Sequence, residues 1–508
     1  MNYSTYLCCV MATVGRADAV ENAPPETTLE DAIEPALQQF RQVFQDFASK
    51  PVTPQTTFEL EGRMKAATQE LNRAGLEWQL NHLESSQASD WPLNVEFDGE
   101  WHTRRNEQTP HEISTTFGKI CLWRVGYRPT DESGGPTIFP LEQQLGLIAG
   151  ATPALAERVA YYQAEAGATQ RRTLERLKQE HNVAWGVPKL RKVVGRVAEG
   201  MADGRHEVQV EKLLELLEQA WSSTGRHKPV LSVGRDGISF GVPVKGGSIF
   251  EVASAGTVSV YDRRGKRLGT VYLAYTPESL QPRMTEQLTR LIHAVLQRWD
   301  KPLPRLCYVT DAGDNETSYY TNVLRTMRHP RTSERLEWIR VLDYYHASEY
   351  VGKMAQALFG KGPAAQTWVR RMLKLLKQPG GIRRVLNSAA ALKSRYPMKA
   401  KKRQEDFRKA SEYLRTRTKF MRYAAYQRVG IPCGSGVTEA ACKTIYTQRL
   451  KLSGMRWKKP GAQTILHLRV MLLSGVWTEA FQRLLKRLKE VKVPPYNQPG
   501  RQRLKVAA

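Results

Sequence analysis

A chain of 508 residues exceeds one ordinary hydrophobic core, so two to four domains are expected. An apolar fraction of 41%, with 11 Trp and 20 Tyr, argues against a disordered chain, and no apolar run approaches the roughly 18 residues of a membrane span. A net charge of +26 calls for a polyanionic partner.

That charge is unevenly laid out. Residues 1–100 carry 6 Lys/Arg and 16 Asp/Glu, a balance of −10, so residues 101–508 carry +36. A basic working part behind an acidic N-terminal region fits nucleic acid better than a mixed solubilising surface. The six cysteines (Cys8, Cys9, Cys121, Cys307, Cys433 and Cys442) form no C-x-x-C pair. Neither a disulfide framework nor a zinc ribbon is expected, and a reducing cytoplasm suits the count. Tyr6–Val14 is mildly apolar but lacks a basic start, so no signal peptide is expected.

Apolar residues at Leu29, Ile33, Ala36, Leu37, Phe40, Val43, Phe44 and Phe47 predict a helix, and a second follows over Phe58–Leu83. These form an acidic helical region at 1–98. Gly99–Tyr127 reads as short strands within a small segment, 99–149. Three helical stretches follow at about 153–166, 169–181 and 188–200, with Pro188 at a favoured first-turn position. Arg171, Arg172, Lys178, Lys189, Arg191, Lys192 and Arg196 decorate the second and third. Residues 150–205 therefore resemble a helix-turn-helix whose last helix would place Arg191 and Lys192 on DNA; a plain three-helix packing unit reads equally well.

The stretch 225–350 carries the clearest pattern. Strands are predicted at Val230–Asp236, Ile249–Tyr261 and Gly269–Tyr275, then a helix with Met284, Leu288, Leu291, Ile292, Val295, Leu296 and Trp299 on one face. Strand Leu306–Thr310, a helix near Glu316–Met327 and strand Trp338–Leu342 complete it. Three consecutive strands, then strands separated by helices, imply a mixed sheet, and the RNase H-like fold has this order. Residues 351–429 read as all-helical and strongly basic, with 21 Lys/Arg and three acids between Lys353 and Arg428. Helices at about 437–451 and 460–489 fill 430–490, and a basic Pro/Gly-rich tail occupies 491–508.

Phosphodiester chemistry builds charge on an attacking and a leaving oxygen. Divalent ions held by a few convergent carboxylates stabilise both, and Mg²⁺ favours such oxygen ligands. Asp236 and Asp311 each close a predicted strand, in Leu231-Ser-Val-Gly-Arg-Asp236 and Cys307-Tyr-Val-Thr-Asp311. Ligands gather at carboxyl ends of strands. A turn or N-cap role suits Asp311 too, and Asp314 is its neighbour and rival. Glu439 follows Gly434-Ser-Gly436 in a first helical turn, with Lys443 one turn on; with Gly436 as N-cap it would be a capping-box acid. Asp343 and His346 lie in Val341-Leu-Asp-Tyr-Tyr-His346, where they would bind metal, orient water or touch DNA, or simply start a helix.

Together these residues resemble the ISKra group of insertion-sequence transposases, in the Mutator-like DDE class. Arg340-Val-Leu-Asp-Tyr-Tyr-His-Ala-Ser-Glu349 is similar to that group's aspartate-x-x-histidine signature. Ile431-Pro-Cys-Gly-Ser-Gly-Val-Thr-Glu-Ala-Ala-Cys-Lys443 is similar to its glutamate motif, and Gln448-Arg-Leu-Lys-Leu-Ser-Gly-Met-Arg-Trp457 to its basic stretch. The likeness covers about residues 110–485. It implies an RNase H-like core interrupted by an all-α insertion, with Asp236, Asp311 and Glu439 as a catalytic, metal-binding triad and Asp343 and His346 in support. It further implies Mg²⁺ (or Mn²⁺), cleavage and joining of DNA at terminal inverted repeats, a homo-oligomer, and a cytoplasmic, nucleoid-associated bacterial protein. Two departures stand out: the zinc-binding Cys-x-x-Cys segment often found before the core is absent, and Gly234-Arg-Asp-Gly-Ile-Ser239 is an unfamiliar setting for the first aspartate. Lys443, Arg449, Arg456 and Trp457 are the expected DNA contacts near the cleaved end; core packing is the other reading of Trp457. A nuclease without strand transfer and a non-catalytic DNA-binding descendant are the alternative functions.

Overall fold

A computed structural model of the chain describes residues 27–130, 135–488 and Lys492. The signal-peptide reading at Tyr6–Val14, Cys8, Cys9 and, apart from Lys492, the expected tail lie outside them. The fold is mixed α/β and divides into two compact units, Met1–Leu155 with Leu177–Ala184 and Leu488–Ala508, and Ala156–Arg176 with Trp185–Arg487.

In the smaller unit the expected helices form as α1 (Leu29–Ala48) and α2 (Pro54–Asn81), opened by capping boxes at Thr28 and Thr53. The strands are longer than expected. β1 (Asn94–Phe97), β2 (Glu100–Thr115) and β3 (Gly118–Pro129) make an antiparallel sheet in that order. A bulge between Arg104 and Gln108 absorbs the irregular alternation, so β2 continues through it for 16 residues. β3 is an edge strand, and α2 covers its free backbone. The Cys121 N–H donates to Glu77 at 2.7 Å, the Trp123 N–H to Asn81 at 2.8 Å and the Val125 N–H to Glu84 at 2.9 Å. Glu77 and Asn81, one turn apart on α2, and Glu84 just beyond its end thus satisfy alternate residues of a strand, which blunts an edge open to further pairing. A short helix α3 (Pro140–Gln144) follows.

Three helices then come in the expected places, α4 (Pro153–Ala164), α5 (Gln170–His181) and α6 (Val187–Ser222), but the third differs in kind. At 36 residues α6 runs far past the expected end near 200. Leu190, Val193, Val197, Met201, Val208, Leu213 and Leu217 bury one face along it. A continuous apolar stripe lets α6 pack along most of its length, well beyond the span to 200 expected of it.

The main sheet has strand order β6-β5-β4-β7-β8. Its members are β4 (Val230–Val244), β5 (Gly247–Tyr261), β6 (Arg267–Tyr275), β7 (Arg305–Thr310) and β8 (Trp338–Leu342). β4, β7 and β8 are parallel, and β5 is antiparallel to β4 and β6. Crossover helices α7 (Pro282–Arg298) and α8 (Asp314–Asn322) make the parallel pairings possible. Alternation sorts the two faces. Leu231, Val233, Leu306 and Tyr308 pack with α6 and α7, burying the predicted apolar face of α7 from Met284 to Trp299. Val230, Cys307, Val309 and Val341 pack on the opposite face.

That opposite face carries the basic block. α9 (Tyr344–Phe359), α10 (Pro363–Leu376), α11 (Gly381–Arg395), α12 (Lys401–Thr416) and α13 (Tyr423–Arg428) share its core through Met354, Trp368, Val385, Phe407 and Tyr423. The expected 437–451 helix is a short α14 (Gly436–Cys442) that loosens into a π turn, Lys443–Thr447. The expected 460–489 helix breaks at Gly475, whose φ of 66° is left-handed, into α15 (Lys459–Leu473) and α16 (Trp477–Lys486).

Candidate active site

Register brings three aspartates level. Val233 pairs with Tyr308 and Tyr308 with Arg340 across parallel strands. Asp236, Asp311 and Asp343 each lie three residues beyond that row, on neighbouring paths toward the carboxyl ends of β7 and β8. Asp236 shares the strand face of Val230 and Ser232, and Asp311 that of Cys307 and Val309, so both aspartates project toward the helical block.

Asp236 does not end its strand as expected. β4 continues eight residues past it as a hairpin with β5, because the Val230-to-Val244 stretch finds an antiparallel partner throughout. The carboxylate accepts the Gly237 N–H at 2.7 Å and lies 3.5 Å from the Cys442 thiol on α14. Burial first, and the charge of Asp311 second, hold its carboxyl above the usual aspartate range. Burial also raises the Cys442 thiol, with Asp236 adding to the effect.

Asp311 lies just past β7. Its carboxylate accepts the Gly313 N–H at 3.0 Å, and the chain turns through Ala312 at φ 61°, a conformation that strains a side-chain-bearing residue. The helical block braces this turn. Tyr413 of α12 donates its hydroxyl to the Asp311 carbonyl, and Arg417 lies 4.1 Å from the Tyr413 ring and 3.4 Å from the Ala312 carbonyl. His346 Nε2 is 3.8 Å from Asp311 Oδ2.

Asp343 has become structural. It caps α9, taking the Tyr345 and His346 N–H groups on one oxygen and the Ser435 N–H and hydroxyl on the other. It is buried, while His346 remains partly open beside Asp311.

Glu439 stands exposed in the first turn of α14. The capping-box alternative is not formed: the N-cap is Ser435, and its hydroxyl is given to Asp343. Thr438 seats the helix on the sheet, with its hydroxyl 2.7 Å from that of Thr257 on β5. Close approach is allowed because β4 has Gly234 there; a Cβ on it would lie 2.0 Å from Thr438 Oγ1. Glu439 contributes to the field at Cys442, which bonds Asp236.

Glu316 on α8 is a further acid, which pattern reading assigns only to a helix start. It is buried, and burial with the nearby Asp311 pushes its carboxyl up to about 7. Its three-residue spacing to the buried Tyr319 was the available signal. Among the described residues, no three His, Cys, Asp or Glu side chains are grouped tightly enough to hold a metal ion. What is assembled is a pair, Asp236 and Asp311, with Glu439 on a helix that packs on β4, the strand of Asp236, and on its neighbour β5.

The expected DNA contacts divide. Lys443, Arg456, Arg191 and Lys192 are exposed, with Arg191 3.2 Å from Gln170 and Arg456 3.4 Å from the Gly247 carbonyl. Trp457 is half-buried with Arg449 5.2 Å from its ring. Arg449 itself corrects the reading. Only 1% exposed, it donates to the Gln163 carbonyl at 2.7 Å and to the Gln163 side chain at 3.2 Å, which leaves it unsuited to a phosphate. Burial beside Arg469 lowers it to about 10. Among the described residues no helix is long and apolar enough to cross a membrane. No family model matches the chain, and no curated protein matches it.

Proposed function

We propose that this chain is a DDE transposase of an insertion sequence, cutting DNA at the element's terminal inverted repeats and joining it to a target. The observation that carries this reading is the pair of Asp236 on β4 and Asp311 just past the adjacent parallel strand β7, with the Glu439 helix seated on β5 and against Gly234 of β4. The strand order β6-β5-β4-β7-β8, with only β5 reversed, supports an RNase H-like core, and the helices from α9 to α13 suit an all-α insertion between its second and third acids.

Asp236 and Asp311 fit a hard divalent cation such as Mg²⁺ or Mn²⁺. Burial and the charge of Asp311 already disfavour the Asp236 carboxylate, a cost that a bound divalent cation would offset. Glu439 would complete the ligand set. When bound, the metal supplies positive charge to the attacking and leaving oxygens at phosphorus. The protein's own part is to orient these acids. The Gly313 N–H, the Tyr413 hydroxyl and Arg417 fix the Asp311 turn, and Asp343 ties the Glu439 loop to the end of β8. His346, beside Asp311, is placed to hold a proton or hydrogen-bond a phosphate oxygen. Exposed Lys443, Arg456, Arg191 and Lys192 would meet the DNA backbone, and a homo-oligomer would pair two element ends.

The test is a cleavage and strand-transfer assay on DNA bearing the element's ends, with Mg²⁺ or EDTA, for wild type and Glu439→Gln. Metal-dependent joined products, lost in the variant, are expected. Cutting without joining would point to a nuclease, and binding without chemistry to a DNA-binding descendant.

A further inference from the structure

The face of α9 that begins at His346 continues as Tyr350 and Lys353, at i+4 and i+7, and these line one side of a groove whose other side is α12. The groove encloses about 620 Å³. Its charged lining is Lys353, Lys361, Arg403 and Lys409 against a single acid, Asp406. Among the described residues neither Lys353 nor Lys361 is paired with a carboxylate, whereas on α12 Glu405 holds Arg408 at 2.8 Å and lies 3.4 Å from the exposed Lys409 ammonium, a surface pair that a phosphate can replace.

The floor is rigid. Tyr350 stacks on Tyr413 with ring centroids 3.6 Å apart and planes 5° from parallel, and the Lys353 ammonium lies 4.1 Å from the Tyr350 ring centre. Arg403 donates to the Ala357 and Leu358 carbonyls, at 2.8 Å each, tying α12 to the last turn of α9. One end of this wall is fixed to the acids: the Tyr413 hydroxyl bonds the Asp311 carbonyl, and His346 faces the Asp311 carboxylate. A cationic groove with a preformed floor, leading away from paired carboxylates, suits a polyanion whose charges repeat along a line.

We infer that the α9–α12 groove is a phosphodiester track that holds the backbone of the DNA strand entering the Asp236–Asp311 site. From His346 to Phe359, the end of α9, is thirteen residues, about 20 Å at 1.5 Å per residue, which spans nearly six nucleotide steps of duplex strand at about 3.4 Å of axis each. Lys353, Lys361 and Lys409 supply the phosphate contacts, and Arg403 keeps the walls together. The inference rests on the DNA reading of the site, and adds to it a path by which the substrate reaches the acids.

The experiment measures binding of the full chain to a short fluorescent DNA by anisotropy, in EDTA so that no chemistry intervenes, over a series of salt concentrations. The proteins are wild type, a Lys353→Ala/Lys361→Ala/Lys409→Ala variant, its Lys→Arg counterpart, and a charge-matched control, Arg226→Ala/Lys228→Ala/Lys266→Ala. Circular dichroism and melting verify that each is folded. Loss of three phosphate contacts reduces the slope of log K against log salt by about 2 to 3, since each contact contributes roughly 0.7–0.9. That reduction, restored by arginine and absent in the control, is the expected result. Wild-type binding with an unchanged slope in the groove variant, or an equal loss in the control, overturns the track while leaving the DNA reading intact. A wild type that binds no DNA overturns both.

Discussion

Ser435 gives both its backbone N–H and its hydroxyl to one oxygen of Asp343, whose other oxygen holds the first turn of α9. One buried carboxylate thus fastens the end of β8, the start of the helical block and the loop leading to Glu439. Asp343→Ala would strand several buried donors and should lower stability by about 3 kcal/mol or more, with Asp343→Asn intermediate because an amide oxygen accepts on one side only. Denaturant titration measures this. An Asp343→Ala protein as stable as wild type would show that the bridge carries little of the fold.

Gly234 makes a sharper geometric prediction. A methyl at this position would meet Thr438 Oγ1 at 2.0 Å and Thr257 Oγ1 at 2.7 Å, so α14 must lift from the sheet and carry Glu439 with it. Gly234→Ala should cost about 1–3 kcal/mol, and Thr438→Ala in the same protein should recover part of it. Thermal melts of the single and double variants measure the coupling; simple additivity would contradict the contact.

Arg449 separates a structural from a DNA-binding role. Arg449→Ala should destabilise the protein by about 3–5 kcal/mol, because Gln163 loses its partner within a packed region. Its folded fraction should keep wild-type affinity for DNA in anisotropy titrations. Lys443→Ala should do the reverse, weakening binding while leaving the melt unchanged, since Lys443 is exposed.

The smaller unit has its own pH signature. Burial raises the Glu84 carboxyl to about 7, against an ordinary value of 4.5, although the Val125 N–H opposes the shift. Between those values the folded chain holds a proton that the unfolded chain has released, so stability falls as pH rises from 4.5 to 7 and levels off above. Glu84→Gln keeps an acceptor for Val125 without the charge. Its melting temperature relative to wild type should therefore climb by a few degrees between pH 5 and pH 8. A constant difference across that range would contradict the shift.

The strands and helices around the candidate site were legible because alternation and 3.6-residue spacing are local signals. Val341-Leu342 and Leu306–Thr310 are short apolar runs followed directly by an aspartate, which marks a strand end on sight. Asp236 misled for the same reason: polar and glycine residues after Val233 look like a turn, yet β5 supplies partners as far as Val244. The length of α6 was hidden by Gly195, Gly200 and Gly204, which weaken a helix in isolation but are outweighed by its continuous buried stripe. Arg449 reads as a DNA contact in the sequence because its partner, Gln163, lies 286 positions away in the chain. Glu316 escaped for a related reason, since burial beside Asp311 depends on how α8 packs and not on its own spelling.

The seating of Thr438 against Thr257 joins residues 181 positions apart. During synthesis, β4, β5 and β7 emerge long before α14, and the whole helical block must leave the ribosome before Glu439 can dock. Closing so large a loop is entropically costly and slow. A nascent chain therefore carries its two aspartates for some time without the glutamate, and DNA-cutting capacity under the proposed function would arise only once α14 has been synthesised and folded onto the sheet.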